Sequence, residues 1–252
     1  MWNRADLKSN AKATLKKSYW KALIVSFILA LVGGTGEGGG SGFGAGSSNG
    51  FNNDNIDSFP VNDILPEILI IAIGIGFSIL ALVIAFRIFL GYPLEIGGKK
   101  YFVRATDYEF NMNYLGYSFE KGIYSDSVKT MLLRGVYNFL WYLLLIIPGI
   151  VKSYSYKMVP YILGDNPNIG PKRAIELSNE MTRGHKFDMF ILDLSFIGWE
   201  ILGALLFGIG IFFVFPYINA TYAELYNSLR ELAIAKDYTT YEELNIEKIE
   251  LE

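Results

Sequence analysis

Lysine and arginine are absent from three long stretches of this chain, Ala22 to Phe86, Gly135 to Val151 and Phe187 to Leu229. Each stretch contains apolar runs approaching the roughly 20 residues that a helix needs to cross about 30 Å of hydrocarbon. Such runs can be buried in a protein core or in lipid. With 52% hydrophobic residues, 15% aromatic residues and a mean hydropathy of +0.29 over 252 residues, the composition favours lipid.

The first stretch holds two spans, one ending near Gly33 and one over Ile64–Leu90, separated by a polar glycine-rich segment. The third is about twice the length of one crossing, and Phe207-Gly208-Ile209-Gly210 at its middle predicts a tight helical hairpin. The second is ambiguous. Val128–Ile147 is one good span, but Ile150–Leu163 beyond Pro148-Gly149 is short and carries Lys152 and Lys157. If it did not cross, Lys152, Lys157, Lys172, Arg173, Arg183 and Lys186 would all lie outside, against the preference for cytoplasmic cations.

The expected fold is therefore all-α: one membrane domain over 1–252, an integral membrane helical bundle of about six transmembrane helices arranged as three hairpins. Ascending helices are expected near 12–33, 125–147 and 186–207, and descending ones near 64–90, 149–165 and 210–231. Arg4, Lys8, Lys12, Lys16, Lys17 and Lys21 precede the first span and hold the N-terminus in the cytoplasm; an even number of crossings returns the C-terminus there. A cleaved signal peptide fits less well, because the basic region is long and the apolar run ends in glycines without a small-x-small site.

Between the spans, residues 3–19 read as a basic amphipathic helix, capped by Asn3, with Leu7, Ala11 and Leu15 forming a stripe for the inner leaflet. Residues 33–63 read as a flexible external Gly-rich loop. Its Gly34-x-Gly36-x-x-Gly39 follows no strand, so it does not read as a dinucleotide site. Pro171 begins an interfacial helix over 171–183 with Ala174, Leu177, Ser178 and Met181 on one face, and 242–252 reads as an acidic solvated tail.

Tyr92-Pro93-Leu94, Val159-Pro160-Tyr161 and Phe215-Pro216-Tyr217 form a loose repeat, one proline in each descending arm. Pro93, Pro160 and Pro216 are candidate hinges, or plain kinks whose freed carbonyls neighbouring groups must satisfy.

Phe119-Glu120-Lys121-Gly122, Val128-Lys129-x-Met131-Leu132-Leu133-Arg134, Ile146-Ile147-Pro148-Gly149-Ile150 and Lys157-Met158-Val159-Pro160-Tyr161-Ile162-Leu163, followed by Asp165-Asn166-Pro167, resemble a bacterial family, domain of unknown function 975. Ala174-x-x-x-Ser178 to Thr182-Arg183-Gly184, Leu194-Ser195-Phe196-Ile197-Gly198-Trp199 and Gly208-Ile209-Gly210 continue the likeness. It implies a multi-pass protein of the bacterial cytoplasmic membrane and brings no catalytic residues. Ala174 to Gly184 more distantly resembles the membrane portion of some glycerophosphodiester phosphodiesterases, which is not their catalytic part.

Chemistry is sparse. There is no cysteine and one histidine, His185, which argues against thiolate and histidine-based catalysis or metal binding. The net charge of −3 supplies no field for nucleic acid, and no cofactor is implied. The lipid bilayer and a membrane protein are the partners to expect.

Ionisable residues within spans are the functional candidates, because lipid makes them costly. Here they are Arg134, Lys152, Lys157, Asp193 and Glu200. Counting helical rise from outer turns at Pro148 and Gly208 predicts two pairs, Lys157 with Glu200 and Arg134 with Asp193. The expected function is translocation of a small solute or lipid, with a non-catalytic envelope scaffold or partner subunit as the alternative. An intramembrane lipid-modifying enzyme is the weakest reading, and the chain is not expected to be an enzyme.

Overall fold

The structure, a computed structural model, describes residues 2–33, 61–205 and 208–247, and the side chains of 61–68 are left aside. The glycine-rich loop with its Gly34-x-Gly36-x-x-Gly39 spelling therefore lies outside the described residues, as does the end of the acidic tail. Every regular element among the described residues is helical: α1 (Arg4–Leu31), α2 (Val61–Phe86), α3 (Tyr92–Thr106), α4 (Tyr124–Leu144), α5 (Ile146–Ser155), α6 (Val159–Asp165), α7 (Pro171–Met181), α8 (Lys186–Leu205) and α9 (Gly210–Ala235), with a 3-10 turn at Met112–Phe119. The all-α expectation is met.

Helix α1 starts where Asn3 accepts the Ala5 amide at 3.0 Å. It breaks at Ser18, whose φ of −151° separates a basic first half from an apolar second half. Leu7, Ala11 and Leu15 are buried within the protein, so the stripe expected to face the leaflet packs the chain's own core. Ala174, Leu177, Ser178 and Met181 of α7 are likewise turned inward. An amphipathic face finds a protein core and a membrane surface equally apolar, so the pattern alone could not choose.

Helix α2 was expected to end near Leu90. Instead a π turn at Arg87–Gly91 carries it past Pro93 into α3, the extra residue per turn absorbing the proline. The α3 backbone then runs close to its neighbours. A Cβ on Gly97 would meet the Leu115 carbonyl oxygen at 2.5 Å, so glycine permits the contact with the 3-10 turn.

Two antiparallel pairs follow, α4 with α5 and α8 with α9. The first turns at Leu145, three residues before Pro148. In the second, a Cβ on Gly203 would lie 2.7 Å from the Ile211 nitrogen, so Gly203 serves packing inside one chain, while Gly74 and Gly76 have no atom within 4 Å.

Burial divides the molecule. The core joins Leu29, Ile96, Phe102, Met131, Met158, Ile162, Leu163, Leu177, Phe196 and Tyr226 from seven helices. Large apolar side chains are exposed along α1 (Trp20 to Leu31), all of α2 from Leu69, α4 (Phe139 to Leu144), α5 (Ile146 to Val151) and α8 (Leu194 to Leu205). Water-soluble monomers rarely expose contiguous apolar patches beyond a few hundred Å². One helix among the described residues, α2 running on through α3, is long and apolar enough to cross a membrane. Helices α1, α4 and α8 each join an exposed apolar length to a more polar one.

Candidate functional site: a buried ion-pair network

Of the residues singled out by charge, Arg134, Lys157 and Asp193 join buried ion pairs, with different pairings from those expected. Lys157 follows the last turn of α5, and its ammonium donates to Asp193 Oδ2 of α8 at 2.8 Å and to the Tyr222 hydroxyl of α9 at 2.7 Å. Tyr154 donates to the same Asp193 oxygen at 2.7 Å, and Tyr222 donates to the other. Asp193 and Lys157 are both buried. Taking two charges out of water is costly, and only additional hydrogen bonds to the remaining lone pairs make such a pair tolerable. The two tyrosines supply them.

Glu200 is thus not the partner of Lys157. Because the α4–α5 turn falls at Leu145, Lys157 stands about twelve residues, or ~18 Å of helical rise, below it. Asp193 stands about as far below the end of α8, whereas Glu200 is two turns higher. Glu200 is half-buried, and none of the ion pairs found among the described residues includes it.

Arg134 does not pair with Asp193 either. Its guanidinium lies 3.1 Å from Glu95 of α3, which also receives Arg87 at 2.5 Å. Sequence reasoning missed Glu95 because it placed the residue beyond the end of a span. The available signal was a lone acid flanked by Pro93, Leu94, Ile96, Gly97 and Gly98, with no neighbour that favours solvent. Arg87 extends the link by donating to the Val32 carbonyl, so one carboxylate ties α3 to α4 and to the end of α1.

Lys99 completes the cluster, donating to Asn219 Oδ1 at 2.9 Å while Asn219 donates to Ser26 at 3.1 Å. A third carboxylate, Asp165, receives Tyr226 at 2.6 Å and Arg230 at 3.0 Å. Lys152 stands apart from these groups, its ammonium 5.0 Å from the centre of the Trp141 ring. His185 lies at the start of α8, its ring centroid 6.0 Å from that of Trp2, and burial pushes its pKa below the ordinary imidazole value.

Side-chain hydrogen bonds fall at or near each repeated proline. A proline leaves the carbonyl four residues earlier without its usual amide. For Pro93 that carbonyl is Phe89, and the Tyr124 hydroxyl donates to it at 2.9 Å. At the break before Pro160, Ser178 of α7 donates to the Ser155 carbonyl at 2.8 Å and accepts the Met158 amide at 3.2 Å. Beside Pro216, Tyr19 of α1 donates to the Phe213 carbonyl at 3.1 Å.

The acidic tail is docked at its start. Arg173 grips Glu243 through two hydrogen bonds, at 2.7 and 3.1 Å, and Leu244 is fully buried. The Arg173 hydrogen bonds hold the Glu243 carboxyl below the usual carboxylate range.

Among the described residues no group of histidine, aspartate and glutamate is arranged to hold a metal ion. Residues 143–233, which carry Lys157, Asp193, Tyr222, Pro160 and Pro216, match a family model described as "Protein of unknown function (DUF975)". The earlier motifs around Phe119 and Val128 fall outside the matched segment, and the distant likeness to phosphodiesterase membrane portions finds no support. No curated protein and no solved structure matches the chain. Over residues 143–233, the chain is similar to that family of unknown function.

Proposed function

We propose that this chain is a multi-pass integral membrane protein, of the bacterial cytoplasmic membrane, and that it works as a non-catalytic envelope scaffold or partner subunit. Six apolar segments enter the bilayer as three hairpins: the second half of α1 with α2, α4 with α5–α6, and α8 with α9. Both termini stay in the cytoplasm. The exposed apolar belt supports the placement, since lipid is the solvent in which those side chains cost nothing.

The observation that carries the functional reading is the enclosure of Asp193 by three donors. Its two oxygens take one ammonium and two phenol hydroxyls from α5, α9 and the segment after α5. Three donors on a buried carboxylate with about four acceptor sites leave about one for a passing solute, and hydrogen bonds near Pro93, Pro160 and Pro216 join those segments to their neighbours. The network holds helices in one arrangement, as a partner-binding scaffold requires.

The chain lacks cysteine, which makes accessibility mapping direct. Single cysteines at Ser9, Asn168 and Asp237 should react with an impermeant thiol reagent only from the cytoplasmic side; external labelling of Asn168 would sink the topology. Leu192→Cys, beside Asp193, should resist a small hydrophilic methanethiosulfonate. Rapid labelling there would favour translocation of a small solute or lipid instead. Glu200 is the observation on the side of that second reading, a half-buried acid in α8 outside the ion pairs found among the described residues.

A further inference from the structure

A groove of about 540 Å³ lies where the basic half of α1 crosses the α8–α9 hairpin, lined by Lys12, Leu15, Lys16, Tyr19, Trp199, Phe213, Val214 and Tyr217. Its chemistry is segregated. Lys12 and Lys16 are four residues apart, hence on one face of α1, and both are exposed. The Lys12 ammonium stands 5.6 Å from the centre of the Tyr217 ring. No acidic side chain lines the groove, and its remaining walls are aromatic or aliphatic. Neighbouring cations are already engaged elsewhere: Lys8 donates to Ser195 Oγ at 2.6 Å, and Lys17 lies 3.4 Å from the Tyr108 ring centre.

We propose that this groove binds an acidic phospholipid of the cytoplasmic leaflet, its headgroup between Lys12 and Lys16 and an acyl chain along Trp199, Phe213 and Val214. Charge complementarity calls for an anion beside an apolar wall. Tyr19 and Tyr217 supply the amphipathic aromatic rings that prefer the headgroup boundary. A soluble anion would use the lysines and leave this wall in water.

The inference rests on the membrane placement proposed above, and the two can fail separately. The test uses the full chain purified in neutral detergent and titrated with phosphatidylglycerol or phosphatidylcholine, with bound lipid counted by native mass spectrometry. Each lysine beside an anionic lipid contributes about fivefold in affinity, so phosphatidylglycerol should bind about 25-fold more tightly than phosphatidylcholine. K12Q with K16Q should abolish the preference, whereas K17Q, the same charge change on the other side of α1, should keep it.

Equal binding of both lipids by the native chain would overturn the proposal, as would a loss with K17Q matching that of the double variant. Tight binding of inorganic phosphate at the same lysines, without lipid preference, would overturn it too. Release of the chain from membranes by alkaline carbonate would instead count against the membrane placement, which the lipid titration does not address.

Discussion

Two consecutive lengths of one helix behave in opposite ways. From Leu69 to Phe86, α2 is apolar apart from Ser78 and small residues, and every side chain is exposed. A few residues on, α3 carries Glu95 and Lys99, and both are buried beside Ile96 and Phe102. In water the arrangement would be inverted. The difference teaches that α2 suits apolar surroundings, while the polar groups of α3 are stable because other helices bring their partners. The same contrast runs through α4, whose C-terminal turns expose Phe139, Leu140, Tyr142 and Leu143 and whose middle buries Arg134.

This contrast can be broken most severely at the inner carboxylates. Replacing Glu95 by alanine leaves Arg134 buried without that counter-charge, and about 3–5 kcal/mol of stability should be lost. Thermal unfolding of the variant in detergent would show it as a large drop in midpoint; a drop comparable with that of a surface change would mean water reaches the site.

Next comes the comparison itself. Leu163 is fully buried and Leu82 is 70% exposed. Leu163→Ala should cost about 2–5 kcal/mol, whereas Leu82→Ala should stay within about 0.5 kcal/mol in the same detergent unfolding experiment. Equal losses would show that α2 packs against protein.

Ser178→Ala removes the hydroxyl that bridges the break before Pro160, leaving the Ser155 carbonyl and Met158 amide to find other partners. About 1–3 kcal/mol should be lost, with faster hydrogen exchange at Met158 as the local signature.

The smallest effect concerns the docked tail. Because Arg173 lowers the Glu243 pKa, the contact stabilises the fold above the usual glutamate value and weakens as pH falls through the lowered one. Limited proteolysis near Glu247 should therefore accelerate at acid pH, and Glu243→Gln should remove most of that pH dependence.

Charge-free stretches made the helical class and most helix positions readable before any coordinates. Hairpins near Pro148 and Gly208, the short helix from Pro171 and the amphipathic start all appear where periodicity and turn residues put them. Placement of the acids was less legible. A depth count is only as good as its origin, and moving one turn to Leu145 exchanges Glu200 for Asp193 as the partner of Lys157. Glu95 was hidden by the assumption that proline ends a helix, which the π turn at Arg87–Gly91 defeats. Roles for Tyr154, Tyr222 and Asn219 depend on three-dimensional convergence, and a tyrosine or asparagine in an apolar run carries no mark of its partner.

Ser178 also bears on how the molecule is made. A ribosome delivers Pro160 well before Ser178, and Lys157 long before Asp193, so the descending arm α5–α6 leaves synthesis with an open break and an unmatched ammonium. Tyr19 waits still longer for the Phe213 carbonyl. Each early segment is completed by a later one, and the arrival of α9 is the event that locks the first helix.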